Sequence, residues 1–392
     1  MLTVEKKGLC AQYGASSFHE RVDGMDGVTR RPCLSRITPY VPGKPVEEVE
    51  RELNISGVIK LASNENPLGP SPRALQALEE YLPRLNFYPD GNCYYLKQDL
   101  AARLGVEMDQ VVFGNGADEL ITLVGAAYLD PGDEVLVADP SFSEYDFSAR
   151  LMNAEVVRVP LKQFRHDLPA MLEAVTSKTR IVFICNPNNP TGTIVYRQEL
   201  AAFLEKVPRN ILVVMDEAYY EYVSEPDYPQ SLEWVQQGHN VLTLRTFSKI
   251  YGLAGLRIGY GVGPREVITD LNTVREPFNV NAAAQVAARA ALLDEAYVRE
   301  VYRVNQEGKE YLAGELARLG LSAVPTEANF IFVDTGVDSR ELFQHLLRQG
   351  VIVRTGDIFG HDRCIRISIG TPEQNRRFIA ALEKALFDLQ QR

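Results

Sequence analysis

The chain has 392 residues, 45% of them hydrophobic, and its 41 basic and 52 acidic side chains give a net charge of −11. This length exceeds one ordinary hydrophobic core and predicts two domains. The acidic balance argues against a nucleic-acid or anionic-membrane partner, and no apolar run approaches the roughly 18 residues of a membrane span.

The cysteines are odd in number, widely spaced and without a paired-ligand pattern: Cys10, Cys33, Cys93, Cys185 and Cys364. They predict reduced thiols in a cytoplasmic protein, and they argue against a zinc site or a disulfide framework. Residues 1–33 lack the apolar core of a signal peptide and are interpreted as a polar extension without an assigned function.

The predicted elements begin after a proline-rich arm at residues 38–45. Apolar periodicity predicts helices at residues 46–53, 73–82, 117–129, 143–152, 168–175, 197–206, 281–293, 295–319, 339–348 and 372–389. Short apolar runs predict strands at residues 59–62, 110–113, 134–138, 155–159, 180–185, 211–215, 241–246, 257–262, 329–333, 351–354 and 363–368.

Between residues 110 and 262 strands alternate with helices, and several strands are continuous apolar runs. This pattern predicts an α/β fold with a mainly parallel seven-stranded sheet whose two faces are both covered. We expect this sheet in a large domain at residues 59–284, after an extension and arm at 1–58 and before a smaller α+β domain at 285–392. Ligands of such sheets bind at the carboxyl ends of the strands.

One lysine, Lys249, lies on a glycine-rich loop directly after the predicted strand at residues 241–246. In an apolar pocket a lysine loses solvation of its charged form, so its pKa falls and the free amine can form a Schiff base. Ser248 precedes it, and Arg257 follows with a guanidinium suited to a phosphate. Taken alone, a solvated surface lysine and an ordinary strand arginine are the commoner interpretation.

Three further strand ends carry residues that suit the same kind of site. Asp216 follows a buried strand, where a carboxylate is costly unless a cation such as a protonated pyridine nitrogen pairs with it, although it could also cap the next helix. Asn189 lies in a proline-rich turn and has an amide able to donate to a ring oxygen. Residues 114–119 enter a helix whose first N–H groups can hold a phosphate.

The last of these segments, Gly114-Asn-Gly-Ala-Asp-Glu119, imitates a dinucleotide-binding fingerprint. Its third glycine is replaced by Glu119, and no clear partner acid follows about twenty residues later. A dehydrogenase is therefore a poor fit. A phosphate seat, an arginine, a nucleophilic lysine, an acid for a ring nitrogen and an amide for a ring oxygen together describe a pyridoxal phosphate site.

From about residue 39 to its end the chain resembles the fold-type I pyridoxal phosphate-dependent aminotransferases, and among them the histidinol-phosphate aminotransferases. The matching stretches are YVPGKP, LASNENPLGPSP, YPDG, GNGADE, NPNNPTGT, DEAY, TFSKIYGLAGLRIGY, PFNVN and RISIGTPEQN. They keep the order and spacing of the family. The resemblance implies a ping-pong transamination by a homodimer whose two subunits share their active sites.

The resemblance also implies roles for single residues. Lys249 would hold the cofactor and shuttle the substrate proton, Asp216 would keep the ring nitrogen protonated, and Asn189 and Tyr219 would bind the ring oxygen. Phe142 would stack on the ring, where the family often has tyrosine. The cofactor phosphate would be held by Ala117, Asp118, Ser248, Arg257 and, from the other subunit, Tyr88.

Substrate recognition would fall to Tyr40, Asn66, Asn329, Arg354 and Arg366. Two arginines facing one pocket suit a dianionic phosphate better than a lone carboxylate. The implied substrates are histidinol phosphate and its product imidazole acetol phosphate, together with glutamate and 2-oxoglutarate.

Three alternatives remain open from the sequence. An aromatic amino acid aminotransferase of the same subfamily would have a similar pocket, because a phenyl ring is a near-isostere of imidazole. A threonine-phosphate decarboxylase-like enzyme would use the same fold, although the arm at residues 38–45 argues mildly against it. A cofactor-binding regulator would need a DNA-binding module, for which residues 1–33 are too short and the chain too acidic.

Overall fold

The fold is organised around one large sheet and one smaller sheet, and the computed structural model describes residues 29–39 and 43–391. The helices of this part are α1 (Val46–Leu53), α2 (Pro72–Tyr81), α3 (Tyr94–Leu104), α4 (Ala117–Tyr128), α5 (Glu144–Leu151), α6 (Leu168–Glu173), α7 (Arg197–Leu204), α8 (Ser231–Gln236), α9 (Arg265–Val274), α10 (Ala282–Leu292), α11 (Glu295–Arg318), α12 (Ser339–Arg348) and α13 (Pro372–Gln390). The strands are β1 (Ile59–Lys60), β2 (Val111–Gly114), β3 (Glu134–Asp139), β4 (Glu155–Pro160), β5 (Thr179–Cys185), β6 (Leu212–Asp216), β7 (Val241–Thr246), β8 (Gly259–Val262), β9 (Ser322–Ala323), β10 (Phe330–Asp334), β11 (Val351–Ile352), β12 (Arg354–Thr355) and β13 (Cys364–Ser368).

The large sheet has seven strands in the order β2-β8-β7-β6-β5-β3-β4. Strands β3 to β7 pair in parallel, whereas β8 is antiparallel to both of its neighbours. The predicted α/β fold with a mainly parallel seven-stranded sheet is therefore confirmed. Since the parallel strands share one direction, Cys185, Asp216 and Thr246 all lie at the same edge of the sheet.

Both faces of this sheet are covered by helices, which explains why a central strand such as β6 is apolar up to its last residue, Asp216. In β6, Leu212 and Val214 pack with α4, α5 and α9, while Val213 and Met215 pack with α6, α7 and α8 on the other face. Alternate side chains of a strand point to opposite faces, so a doubly covered strand needs apolar residues at every position.

The smaller sheet has four antiparallel strands in the order β12-β13-β10-β9. Helices α11, α12 and α13 cover it, with Leu312, Leu346 and Phe378 in its core. This arrangement agrees with the α+β character predicted for the C-terminal part. The domain limits themselves stay a prediction.

Two local predictions differ from the structure. The segment at residues 59–62 forms only the two-residue strand β1, which pairs with β11 beside the smaller sheet. The strand predicted at 351–354 is divided into β11 and β12, which pair with different partners. Helices α3, α8 and α9 and the short strand β9 were not predicted. Within residues 29–39 and 43–391, no helix is long and apolar enough to cross a membrane.

Candidate active site

Lys249 lies on the loop that follows β7, at the edge where the parallel strands end. Its amine is half-buried, donates to the Ser63 carbonyl at 3.4 Å and lies 5.5 Å from the centre of the Tyr219 ring. Burial, and to a smaller extent the positive charge of Arg366, lower the pKa of Lys249 to about 8. About one tenth of this amine is therefore uncharged at pH 7, far more than for a solvated lysine, and the uncharged form is the nucleophile.

Asp216 ends β6 on the neighbouring strand and is only 3% exposed. Tyr145 donates a hydrogen bond of 2.6 Å to one carboxylate oxygen, and the backbone N–H of Ala218 donates to the other at 3.1 Å. Burial raises the pKa of Asp216 to about 6 although the Tyr145 hydroxyl opposes this rise. A buried carboxylate held by neutral donors is suited to binding a cationic nitrogen.

The raised pKa of Asp216 predicts that the cofactor-free protein becomes less stable to unfolding as the pH rises. A carboxyl whose pKa rises on folding binds more protons in the folded state, so its contribution to stability falls as the pH rises from about 4 to about 6. Between pH 5 and pH 7.5 this group should lower the free energy of unfolding by about 1.4 kcal/mol. Asp216→Asn should lack this change.

Urea unfolding of the wild type and of Asp216→Asn at pH 5 and pH 7.5 measures this difference. All other titrating groups are common to both proteins, so the difference between their pH dependences reports Asp216 alone. An equal pH dependence in the two proteins would contradict the raised pKa.

A cradle for an anion forms where α4 begins beside β8. Gly116 precedes the helix with φ of +84°, and a Cβ there would overlap the Arg257 guanidinium. A Cβ on Gly259 would lie 2.5 Å from the backbone nitrogen of Ala117. These two glycines thus allow Arg257 and the first N–H groups of α4 to approach each other, and Arg257 here binds the Asp118 carboxylate at 2.8 Å.

Two other residues predicted to bind the phosphate occupy different surroundings. Ser248 is buried one position before Lys249, and its backbone N–H donates to the Thr246 hydroxyl at 3.0 Å. Tyr88 instead lies on the surface, 83% exposed, and stacks on Phe278 with ring centres 5.0 Å apart. The structure of one chain does not bring Tyr88 into the site.

The side chains predicted to surround a ring lie between β5, β6 and the start of α5. Phe142 is half-buried and packs edge-on against Tyr145 at 5.7 Å. Tyr219 is buried, and its hydroxyl accepts a hydrogen bond of 3.0 Å from the Asn64 amide. Asn189 accepts a hydrogen bond from Arg366 through its amide oxygen, so its NH₂ group is the end that can donate to a ligand.

Arg354 and Arg366 are direct partners across the antiparallel pair β12 and β13. Side chains of directly opposed residues lie on the same face, with Cβ atoms about 5 Å apart. Arg366 is 7% exposed and donates to the Ala62 carbonyl at 2.7 Å. Two arginines on the same face of neighbouring strands could both reach one anion, and the paired donors of a guanidinium suit a phosphate.

The two asparagines predicted to bind substrate are engaged with the protein itself. The Asn66 amide donates to the Ile250 carbonyl and accepts from the Leu68 N–H, both at 2.9 Å. The Asn329 amide is 1% exposed and donates to the Asn64 carbonyl at 2.9 Å. Both amides therefore fix the backbone of loops that border the site, and their contact with substrate stays a prediction. Tyr40 lies outside the described residues.

Sequence reasoning missed two residues that contact the site, Tyr145 and Asn64. Tyr145 is the second residue of α5 and its ring contacts that of Phe142 edge-on, but nothing in the local sequence identifies Asp216 as the partner of its hydroxyl. Asn64 belongs to the matched stretch LASNENPLGPSP, but its partner Tyr219 is 155 residues away and cannot be identified from local sequence.

Residues 56–382 match the family model for aminotransferase class I and II. The fold and the site thus belong to a protein of that class. The histidinol-phosphate aminotransferase of Moorella thermoacetica is 60% identical over 357 residues, which cover 91% of this chain and 92% of that protein. The histidinol-phosphate aminotransferase 2 of Carboxydothermus hydrogenoformans is 51% identical over 91% of this chain and 99% of its own.

A solved structure shares the fold of this chain over nearly the whole length of both proteins. It is the histidinol-phosphate aminotransferase of Sinorhizobium meliloti in complex with pyridoxal-5'-phosphate, with a TM-score of 0.86 and 29% identity over 93% of this chain and 100% of that one. The chain therefore belongs to the histidinol-phosphate aminotransferases among the class I and II aminotransferases.

Proposed function

We propose that the protein is a pyridoxal phosphate-dependent enzyme that transfers the amino group of L-histidinol phosphate to 2-oxoglutarate, giving imidazole acetol phosphate and glutamate. The observation that carries the proposal is the 60% identity to a histidinol-phosphate aminotransferase over nine-tenths of both chains. The opposed arginines of β12 and β13 support it independently, because they suit a phosphorylated substrate.

The described residues fit the cofactor at both of its ends. At the phosphate end, Gly116 and Gly259 let Arg257 lie close to the first turn of α4, where a guanidinium and backbone N–H groups could bind an anion together. Within the described part of the chain, the buried carboxylate of Asp216 accepts hydrogen bonds from neutral donors only, so it suits a protonated ring nitrogen. Lys249 lies at the same edge of the sheet with an amine of lowered pKa.

When bound, pyridoxal phosphate carries the amino group and its ring accepts the electron pair that the substrate carbon releases. Lys249 would hold the cofactor at rest, and its freed amine would take the proton from the substrate carbon. Asp216 would keep the ring nitrogen protonated. Tyr219 and Asn189 would donate hydrogen bonds to the ring oxygen, and Phe142 would pack on the ring face.

The remaining residues would anchor the phosphate groups. The backbone N–H groups of Ala117 and Asp118, the Ser248 hydroxyl and Arg257 would hold the cofactor phosphate. Arg354 and Arg366 would bind the substrate phosphate in one half of the exchange and the second carboxylate of glutamate in the other. One pocket can thus serve both substrates in turn.

The test is the formation of glutamate from 2-oxoglutarate with four separate amino donors: histidinol phosphate, phenylalanine, tyrosine and threonine phosphate. We expect histidinol phosphate to have the highest kcat/KM. Preference for phenylalanine or tyrosine would instead identify an aromatic aminotransferase. Release of carbon dioxide from threonine phosphate without glutamate formation would identify a decarboxylase.

We further propose a homodimer in which Tyr88 completes the cofactor site of the partner subunit. Tyr88 belongs to an exposed apolar surface that a second copy of the chain would cover, formed by Leu82, Leu85, Phe87, Tyr88, Tyr94, Tyr95 and Phe278. Burial of such a surface between two copies is favourable, and a two-fold axis would bring each Tyr88 toward the other chain.

Mixing two inactive variants tests this arrangement. Heterodimers of Lys249→Ala and Tyr88→Ala chains contain one intact site if Tyr88 acts across the interface, so an equal mixture should recover about one quarter of wild-type activity. No recovery after subunit exchange would show that Tyr88 acts within its own chain, and full activity of Tyr88→Ala alone would show that Tyr88 has no role in the site. We also propose a cytoplasmic location, which the free thiols of Cys33, Cys93, Cys185 and Cys364 support.

A further inference from the structure

Asn64 occupies an unusual backbone position in the loop that follows β1. Its φ is +56°, in the left-handed region that asparagine and glycine adopt more readily than other residues. The residue is 1% exposed, and its carbonyl accepts the amide of Asn329 at 2.9 Å. The loop therefore holds the Asn64 side chain in one place, between the two sheets.

The direction of the Asn64 amide is fixed by Ser368 of β13. The Ser368 hydroxyl accepts from the Asn64 backbone N–H at 2.8 Å and donates to the Asn64 amide oxygen at 3.1 Å. With its oxygen occupied in this way, the amide turns its NH₂ group toward Tyr219, whose hydroxyl oxygen accepts from it at 3.0 Å.

This contact determines where the Tyr219 proton can go. A hydroxyl group has one proton, and an oxygen that accepts from Asn64 must direct its own proton to another acceptor. Burial raises the pKa of Tyr219, so the phenol keeps that proton near neutral pH. The Lys249 amine, to which the cofactor would be attached, lies 5.5 Å from the centre of the Tyr219 ring.

We propose that Asn64 is a positioning residue, which orients the Tyr219 hydroxyl so that its proton is donated to the ring oxygen of the cofactor. This inference rests on the proposed function. It also connects the two sheets, because Ser368, which fixes the Asn64 amide, stands two residues after Arg366 on β13. The strand that carries the substrate arginine thus also sets the hydrogen bond to Tyr219.

The test is a pH titration of the visible absorption of the cofactor-bound protein. A hydrogen bond donated to the ring oxygen stabilises negative charge there and disfavours protonation nearby, so its weakening should raise the pH midpoint of the absorption change. Asn64→Gly keeps the left-handed backbone but lacks the amide, and we expect its midpoint to rise by about half to one pH unit.

Asn64→Asp is the second variant, for the case in which the glycine variant does not fold. It has nearly the same shape, but its carboxylate accepts the Tyr219 proton, so its midpoint should also rise. Asn54→Gly is the matched control, since Asn54 is exposed and likewise left-handed, with φ of +52°, at the end of α1. Its midpoint should equal that of the wild type.

A double-mutant cycle shows whether Asn64 acts through Tyr219. In a Tyr219→Phe background, Asn64→Gly should cause no further shift. The inference is overturned if the cofactor-bound Asn64 variants titrate like the wild type, or if Asn64→Gly shifts the midpoint equally in both backgrounds. Failure of the wild type to bind pyridoxal phosphate would instead overturn the proposed function, and this inference with it.

Discussion

Lys249→Ala should lower the rate of transamination by at least about 10³-fold and remove the visible absorption of the bound cofactor. The amine of Lys249 is half-buried at the end of β7, and its pKa is lowered to about 8. Alanine removes both the group that holds the cofactor and the base that moves the substrate proton. The fold should persist, because the variant also removes the cost of burying a charged amine.

Lys309→Ala is the matched control for this prediction. Lys309 is also half-buried with a lowered pKa, but it lies on α11 and faces Glu327 at 3.9 Å. Its replacement should leave the absorption and the rate near wild-type values. Retained transamination by Lys249→Ala would contradict the assignment of the lysine.

Arg354→Ala and Arg366→Ala should each weaken the binding of histidinol phosphate by about 1.5–3 kcal/mol, or about 10- to 150-fold. The two arginines are opposed residues of β12 and β13, and each guanidinium would contribute charge-assisted hydrogen bonds to the phosphate. The apparent affinity for histidinol phosphate measures the effect. Histidinol, which lacks the phosphate, should be affected much less by either substitution.

Arg363→Ala provides the control for a general change of charge near β13. Arg363 precedes the strand, is exposed, and binds Asp334 at 3.1 Å. Its replacement should change the affinity for neither histidinol phosphate nor histidinol. If neither Arg354→Ala nor Arg366→Ala changes the affinity for histidinol phosphate, the assignment of the phosphate site is wrong. Equal losses for histidinol phosphate and histidinol would indicate a structural effect instead.

The large sheet was predictable because its signal is local and repeated. Each of its strands is a short apolar run, and the residues that follow the runs, such as Asp216 and Asn189, are polar and therefore conspicuous. Because parallel strands end at the same edge of a sheet, the meeting of these ends can be predicted without knowing any contact. The placement of Lys249 and Asp216 at the same edge of the sheet follows from the fold class alone.

Other features depend on partners that are distant in sequence. Strand β1 has two residues and pairs with β11 almost 300 residues later, so its apolar run gives no indication of its partner strand. Asn66 belongs to a polar motif and Asn329 begins a predicted strand, but only the structure shows that their amides bind backbone carbonyls. The hydrogen bond from Tyr145 to Asp216 was missed because a buried tyrosine has the same local pattern as any core aromatic residue.

The most direct test of the central claim is a half-reaction without the second substrate. The purified protein in its pyridoxal form would be mixed separately with histidinol phosphate, phenylalanine, tyrosine and threonine phosphate, and the loss of the visible absorption would be followed. We expect conversion by histidinol phosphate to be at least about tenfold better, in rate over affinity, than by either aromatic acid. A clear preference for phenylalanine or tyrosine would contradict the proposed substrate and assign Arg354 and Arg366 to carboxylate binding.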